Sequence, residues 1–188
     1  MDSGLCRLAA DAYAEKPAGR AIDWRDMRAV VNGNIAAVRG TDPDSLYNWE
    51  RDFSVWQEHV TQHPQLGRCA AGALEAAEAL APLIPPEVDT LTGHSLGGQV
   101  AVILAALLLP QVKLLVTFDA PKAGGFGLAA TLDPVAVRQY KFRGSVVTEW
   151  PLCLDIHVRP PLINIGDWTL SPLRAHSIER AALWLDTH

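Results

Sequence analysis

A serine between glycines lies in the middle of the chain, in the stretch "GHSLGG" at residues 93–98. The G-x-S-x-G pattern is typical of a nucleophile elbow, a sharp turn from a strand into a helix that exposes a serine hydroxyl. Such a serine needs a histidine to take its proton and a carboxylate to orient that histidine. The first question is therefore whether Ser95 is a nucleophile, and which residues activate it.

The residues around Ser95 have the pattern that an elbow requires. Val88 to Thr92 predicts a short strand, and residues 96–109 predict a buried helix. Gly93 and Gly97 are small residues two positions to either side of the serine, where a sharp turn leaves little room. The start of the helix would bring backbone N–H groups close to the hydroxyl, where they can hold an oxyanion. We therefore expect Ser95 to be a nucleophile.

The rest of the chain predicts an α/β fold: a single domain over residues 1–188 with a mostly parallel, twisted sheet and helices on both faces. An N-terminal β-hairpin is predicted around Asn32-Gly33-Asn34, because two apolar runs flank this turn signal. The other predicted elements are helices at 3–14, 66–81 and 175–185, strands at 112–118 and 135–144, a loop running into a short helix at 42–57, and irregular sequence at 151–175.

Composition excludes several classes of protein. The net charge of −5 comes from scattered charges without a basic stripe, so we expect no nucleic-acid partner. The longest apolar run, Val100–Leu109, is too short to cross a bilayer, and we expect no stable membrane insertion. The first residues lack the pattern of a secretory signal, which predicts a cytoplasmic protein. The three cysteines form no CxxC pair, so we expect neither a disulfide framework nor a metal site.

Beyond the elbow, the sequence resembles the α/β-hydrolase superfamily, and within it the class 3 lipases. The family's F-R-G-[ST] stretch is matched by residues 38–41, "VRGT", except at the first position, and its W-x-x-D by Trp49 and Asp52. Its T-F-G-A-P-[KR] stretch is matched by residues 117–122, "TFDAPK", with Asp119 in place of glycine. The resemblance implies hydrolysis of small-molecule or lipid carboxylic esters by a serine, without a metal or an organic cofactor.

The resemblance also implies an oxyanion hole. Thr41 would supply one donor, and the backbone N–H of Leu96 would supply the other. A tetrahedral intermediate carries negative charge on the former carbonyl oxygen, and loss of one donor typically costs about 100- to 1,000-fold in rate. The other interpretation of Thr41 is a polar turn residue before Asp42-Pro43.

The base should be a histidine that follows the serine, because α/β-hydrolases place serine, acid and histidine in that order. Four of the six histidines precede Ser95, adjoin it or end the chain: His59, His63, His94 and His188. His157 lies in an alternating, strand-like stretch, whereas His176 begins the predicted last helix, where the resemblance places the family's histidine. We expect His176 to be the base.

The acid is where the sequence departs from the family pattern. Ser145 stands where the family has an aspartate, and a serine hydroxyl does not stabilise an imidazolium by charge. Asp119 ends the strand after the elbow helix, and "DAPK" is similar to the "DPAG" of pancreatic lipases, which place their acid on that strand. Asp119 is therefore the predicted acid, with Glu149 and Asp155 as alternatives.

Two other functions use the same residues. Ser145 at the acid position would fit a non-catalytic hydrolase-fold protein that binds a ligand, and the same site could serve an acyltransferase or a thioesterase. For an esterase, we expect short or medium acyl chains, since no stretch predicts a long amphipathic lid. Four aromatic residues are candidates to line an acyl pocket: Trp49, Phe53, Trp56 and Phe126.

Overall fold

Strands and α-helices alternate between Arg68 and Phe142, after an N-terminal helix and three successive strands. The computed structural model describes residues 2–40, 57–59, 63–149, 157–158, 161–168 and 175–187. The strands in these ranges are β1 (Arg20–Trp24), β2 (Met27–Asn32), β3 (Ile35–Val38), β4 (Gln57–His59), β5 (Arg68–Ala70), β6 (Thr90–His94), β7 (Leu114–Phe118), β8 (Ala136–Phe142) and β9 (Ile163–Ile165). The α-helices are α1 (Asp2–Asp11), α2 (Ala71–Leu80), α3 (Leu96–Leu107), α4 (Phe126–Thr131) and α5 (Ile178–Thr187). Short 3-10 helices lie at Pro64–Leu66, Ala81–Leu83 and Val147–Glu149.

The main sheet has seven strands in the order β1-β2-β3-β6-β7-β8-β9. The first three are antiparallel, and each pair from β3 to β9 is parallel. β4 and β5 form a separate antiparallel pair. The mostly parallel sheet is confirmed, and so is the hairpin at β2–β3, where Gly33 supplies the positive φ of 59° that its tight turn needs.

Helices cover both faces of the sheet, as predicted. One core cluster joins α2 and α3 to the sheet, and a second joins α1 and α5 to the opposite face. β7 contributes to both clusters because successive side chains of a strand point to opposite faces of the sheet. Leu115 packs into the first cluster, and Val116 and Phe118 pack into the second. The buried centre of the sheet is therefore packed between two helical layers.

Some predicted boundaries were wrong. The helix predicted over 66–81 begins only at Ala71, because residues 68–70 pair with β4. β1 was not predicted; it lies at the edge of the main sheet, where β2 is its one neighbour among the described strands. Most of the segment predicted as a loop and short helix, residues 42–57, lies outside the described residues. Among the residues that are described, no helix combines the length and apolar character needed to cross a bilayer.

Candidate active site

Ser95 and Asp119 each follow the carboxyl end of a strand in the centre of the sheet. β6 and β7 are parallel neighbours, and their register pairs His94 with Phe118. The next residues, Ser95 and Asp119, therefore leave the sheet side by side, on strands about 4.8 Å apart. Both have a left-handed backbone, with φ of 56° and 49°. Strand register thus brings the predicted nucleophile and the predicted acid to the same edge.

The backbone turns sharply at Ser95. Its φ of 56° and ψ of −134° are values that residues with a side chain rarely adopt. The Ser95 N–H donates to the carbonyl of Phe118 at 3.0 Å, and its own carbonyl accepts from the N–H of Gly98 at 2.9 Å. α3 begins at Leu96, whose N–H belongs to the first turn and has no acceptor within the helix. The segment has the strand, turn and helix that an elbow needs.

Glycine is required at position 97 because β3 passes very close to the start of α3. A Cβ at Gly97 would lie 2.2 Å from the carbonyl oxygen of Val38 and 2.5 Å from the carbonyl carbon of Arg39. A Cβ at Gly40 would lie 3.0 Å from the Cβ of Ser95. The end of β3 and the residues after it are therefore packed against the elbow.

We expect Gly97→Ala to lower the free energy of unfolding by about 3 kcal/mol, the upper end for overpacking, because the backbone of β3 cannot move aside easily. Gly4→Ala is the matched control: Gly4 also lies in a helix, and nothing lies within 4 Å of its added Cβ. That variant should be stabilised by up to about 1 kcal/mol, the helix propensity difference between alanine and glycine. Urea unfolding measures both. Equal stabilities for the two variants would contradict the close approach.

The structure brings Asp119 and His176 together. The Nδ1 atom of His176 lies 2.5 Å from Oδ2 of Asp119, and the side chains are 4% and 0% exposed. The other carboxylate oxygen accepts the N–H of Phe142 at 3.1 Å, so the end of β8 holds the carboxylate in place. Because a carboxylate accepts, Nδ1 carries the hydrogen in this contact. The Nε2 atom of His176 is buried and hydrogen-bonds to none of the described residues.

The other candidates for the acid have different partners. The hydroxyl of Ser145 accepts the N–H of Val147 at 3.2 Å, which closes a local turn at the position of the family's aspartate. Glu149 forms an exposed ion pair with Lys141, and that hydrogen bond lowers the pKa of the Glu149 carboxyl. Asp155 lies outside the described residues. The contact with His176 thus belongs to Asp119 rather than to Ser145 or Glu149.

The alternative histidine has a separate role. The Nε2 atom of His157 donates to the carbonyl of Thr148 at 2.8 Å, which ties it to the short helix after β8. Burial lowers the pKa of its imidazole, and the nearby Lys122 lowers it further. His157 therefore has the contacts of a histidine that joins two segments of the chain.

His94 and Tyr13 contact this site, although neither was predicted from the sequence to have a role in it. His94 is buried, and its Nε2 atom donates to the carbonyl of His176 at 3.0 Å. Its Nδ1 atom lies 2.9 Å from the hydroxyl of Tyr13, just after α1. Burial, followed by the neighbouring His176, holds the pKa of His94 well below its usual value. A single tyrosine near the end of an amphipathic helix carries no sequence signal of such a contact.

Of the two predicted oxyanion donors, Leu96 lies within the described residues and Thr41 does not. Leu96 begins α3 directly after Ser95. Thr41 lies outside the described residues, but its neighbour Gly40 is buried, and the N–H of Gly40 donates to the hydroxyl of Tyr13 at 3.1 Å. The chain therefore approaches Ser95 one residue before Thr41.

The candidate acyl pocket is only partly within the described residues. A cavity of about 320 Å³ contacts Ala175 and Ser177, on either side of His176, but neither Ser95 nor Asp119 lines it. Phe126, a candidate for the acyl pocket, is 78% exposed. The other three candidate pocket residues lie outside the described residues. Within the described ranges, no group of three or more histidine, cysteine and carboxylate side chains is arranged to hold a metal ion.

A family comparison covers the elbow and the strands around it. The sequence model of the family described as "Lipase (class 3)" matches residues 35–143, more than half of the chain. The chain belongs to the class 3 lipase family. It is therefore a carboxylic ester hydrolase by family, and a lipid ester is the substrate class that the family implies. The match includes Ser95 and Asp119 and ends before His176.

Solved structures share the fold of this lipase. The triacylglyceride lipase of Rhizomucor miehei is 19% identical, with a TM-score of 0.60 over 78% of this chain and 72% of that one. MDLA from Penicillium cyclopium, in a mutant form, is 19% identical, with a TM-score of 0.68 over 90% and 79%. A triacylglycerol lipase whose catalytic centre is formed by a serine protease triad is 16% identical, with a TM-score of 0.62 over 80% and 73%. No curated protein matches the sequence.

Proposed function

We propose that this lipase cleaves carboxylic esters through an acyl-enzyme on Ser95, with His176 as the general base and Asp119 as the acid that orients it. The observation that carries the proposal is the buried contact between Asp119 and His176, 2.5 Å long, at the sheet edge where Ser95 also lies. A serine protease triad in a structural neighbour agrees with this arrangement. In this proposal, the acid directly after β7 orients the histidine that precedes α5.

The proposed reaction follows from the tautomer of His176. With its hydrogen on Nδ1, the neutral ring presents the lone pair of Nε2, which removes the proton of Ser95 as the serine oxygen attacks the ester carbonyl. The bond to the alcohol then breaks, and the imidazolium returns its proton to the departing alkoxide. Water repeats the two steps on the acyl-enzyme and releases the carboxylic acid. The negative charge of Asp119 stabilises the imidazolium in both halves.

The oxyanion is held, in this proposal, by the N–H of Leu96 and by Thr41. The first position in α3 supports Leu96, since the early N–H groups of a helix point outward without a helical acceptor. The close packing of Gly40 against Ser95 supports Thr41 as the next residue along the chain. Two such donors strengthen as charge develops on the carbonyl oxygen.

For the substrate, we propose esters with short or medium acyl chains. Transfer of the acyl group to another alcohol, or hydrolysis of a thioester, would use the same residues. The hypothesis of a purely binding protein rested on the absence of a carboxylate at the family's acid position. The contact between Asp119 and His176 supports an enzyme instead. The cytoplasmic location and the single-domain organisation stay predictions from the sequence.

Hydrolysis of p-nitrophenyl esters from acetate to palmitate tests this proposal. We expect turnover highest at short or medium chain length, and a burst of p-nitrophenol equal to the enzyme concentration if deacylation is slower than acylation. Mass spectrometry of the quenched burst should find the acyl group on the peptide that contains Ser95. Folded protein that neither turns over any of these esters nor reacts with a fluorophosphonate would overturn the proposal.

A further inference from the structure

A chain of hydrogen bonds links the backbone of Gly40 to the backbone of His176 through two side chains. The N–H of Gly40 donates to the hydroxyl of Tyr13 at 3.1 Å, this hydroxyl lies 2.9 Å from Nδ1 of His94, and Nε2 of His94 lies 3.0 Å from the carbonyl oxygen of His176. The carbonyl can only accept, so Nε2 of His94 carries the hydrogen. Nδ1 of the neutral ring is then an acceptor, and the Tyr13 hydroxyl donates to it.

The ring at the centre of this chain is held on several sides. His94 is 5% exposed. Its ring stacks on Phe142 at 5.8 Å between centroids, lies 4.5 Å from the ring of His176, and meets the edge of Tyr13 at 5.8 Å. Burial lowers its pKa, so the ring stays neutral and Nδ1 keeps the lone pair that accepts from Tyr13. If the ring carried its hydrogen on Nδ1 instead, Nε2 would face the carbonyl of His176 without a hydrogen to donate.

Both ends of this series of hydrogen bonds lie next to the proposed reacting groups. At one end, Asp119 holds the ring of His176 while His94 holds its main chain, so that two contacts fix one residue. At the other end, Gly40 packs against the Cβ of Ser95 and precedes the proposed oxyanion donor Thr41. Between the two ends, the hydroxyl of Tyr13 accepts the N–H of Gly40 and donates to His94, which in turn donates to the main chain of His176.

We propose that Tyr13 and His94 are positioning residues, which set the distance between the base His176 and the nucleophile Ser95 and hold the segment that leads to the oxyanion hole. The inference rests on the proposed function and deepens it. Neither residue touches the substrate: Tyr13 acts through His94 and Gly40, and His94 acts through the main chain of His176. Their effect is therefore on kcat, since proton transfer depends on the geometry of the base and not on the affinity for the ester.

Tyr13→Phe tests the proposal because it removes one oxygen and keeps the ring. We expect kcat for a p-nitrophenyl ester to fall about 10- to 100-fold, the range for a displacement of about 1 Å in a catalytic group, with KM changed less than about twofold. Tyr140→Phe is the matched control. Its hydroxyl makes a partly buried hydrogen bond, as that of Tyr13 does, but to Asp2 of α1 at 2.6 Å, and its ring lies in the core cluster against which Tyr13 packs. That variant should keep kcat within about twofold of the wild-type value.

Two substitutions at His94 distinguish the role of its N–H donor from that of its bulk. His94→Gln keeps an N–H that can reach the carbonyl of His176, whereas His94→Leu, of similar bulk, keeps none. We expect the glutamine variant to retain at least about tenfold more kcat than the leucine variant. Equal kcat in both folded variants would mean that His94 only fills space, and would overturn its positioning role. Tyr13→Phe decides the proposal if the leucine variant does not fold.

A spectroscopic measurement separates this inference from the proposed function. Imidazole nitrogen NMR of the wild-type protein should show His94 with its hydrogen on Nε2, and Tyr13→Phe should shift the ring signals of His176 while Tyr140→Phe leaves them in place. Unchanged His176 signals, or unchanged kcat, in Tyr13→Phe would overturn the inference. If the wild-type protein does not react with a fluorophosphonate while these NMR shifts occur, the proposed function fails and the structural positioning of His176 stands.

Discussion

Ser95→Ala should lower kcat for ester hydrolysis by about a million-fold, because no other group in the proposed mechanism forms the bond to the acyl carbon. The variant should also lose all labelling by a fluorophosphonate. The strained backbone at position 95 is the same for serine and alanine, since both carry a Cβ, so the fold should not change. Stopped-flow release of p-nitrophenol, labelling and thermal unfolding measure these three effects.

Ser145→Ala is the matched control for the nucleophile. Ser145 is also buried, at 5% exposure, but its hydroxyl accepts only from the local N–H of Val147 among the bonds of the described residues. We expect this variant to keep labelling and to retain kcat within a few-fold, with a stability loss of about 1 kcal/mol for the missing hydrogen bond. Labelling that persists in Ser95→Ala and disappears in Ser145→Ala would reject Ser95 as the nucleophile.

Asp119→Asn should lower kcat about 10,000-fold, the typical loss for a triad carboxylate. The amide oxygen can still accept the N–H of Phe142, so the local backbone should be preserved. The amide NH₂ would then face Nδ1 of His176 and favour the tautomer with hydrogen on Nε2, which cannot accept the proton of Ser95. The negative charge that stabilises the imidazolium is lost in the same change. The kcat of the folded variant on the best p-nitrophenyl ester gives the result.

Two substitutions at the other candidate acids make this prediction specific. Glu149→Gln removes a charge that is paired with Lys141, and Asp155→Asn changes the remaining candidate. Each should keep kcat within a few-fold of the wild-type value. A loss of only a few-fold in Asp119→Asn, together with a large loss in either of the others, would transfer the role of acid to that residue.

The elbow could be predicted from the sequence because its causes are local. Three signals lie within about twenty consecutive residues: a short apolar strand, glycines at positions 93 and 97, and an apolar helix directly after Ser95. Each signal depends only on the residue types of its own segment. The hairpin at Gly33 was predictable for the same reason. β5 was not, because residues 68–70 become a strand only when they pair with β4, and no local pattern specifies that partner.

The family resemblance narrowed the choice of residues without deciding it. It pointed to His176 and to Leu96, and it showed that Ser145 stands where a carboxylate was expected. Among Asp119, Glu149 and Asp155, the chain order alone could not choose, because all three lie between the serine and the histidine. The structure distinguishes the two that it describes by their partners, His176 for Asp119 and Lys141 for Glu149.

The sequence by itself determined that Ser95 lies in an elbow of an α/β sheet and that three candidates for the acid, Asp119, Glu149 and Asp155, follow it. The tertiary structure decided which carboxylate meets His176, since the register of β6 and β7 places Asp119 beside Ser95 and only the packing of the chain before α5 brings His176 there. It also decided the place of Tyr13 and His94, whose contacts join residues 80 or more positions apart. Such contacts depend on distances between elements, and those distances are set by the packing of the whole core.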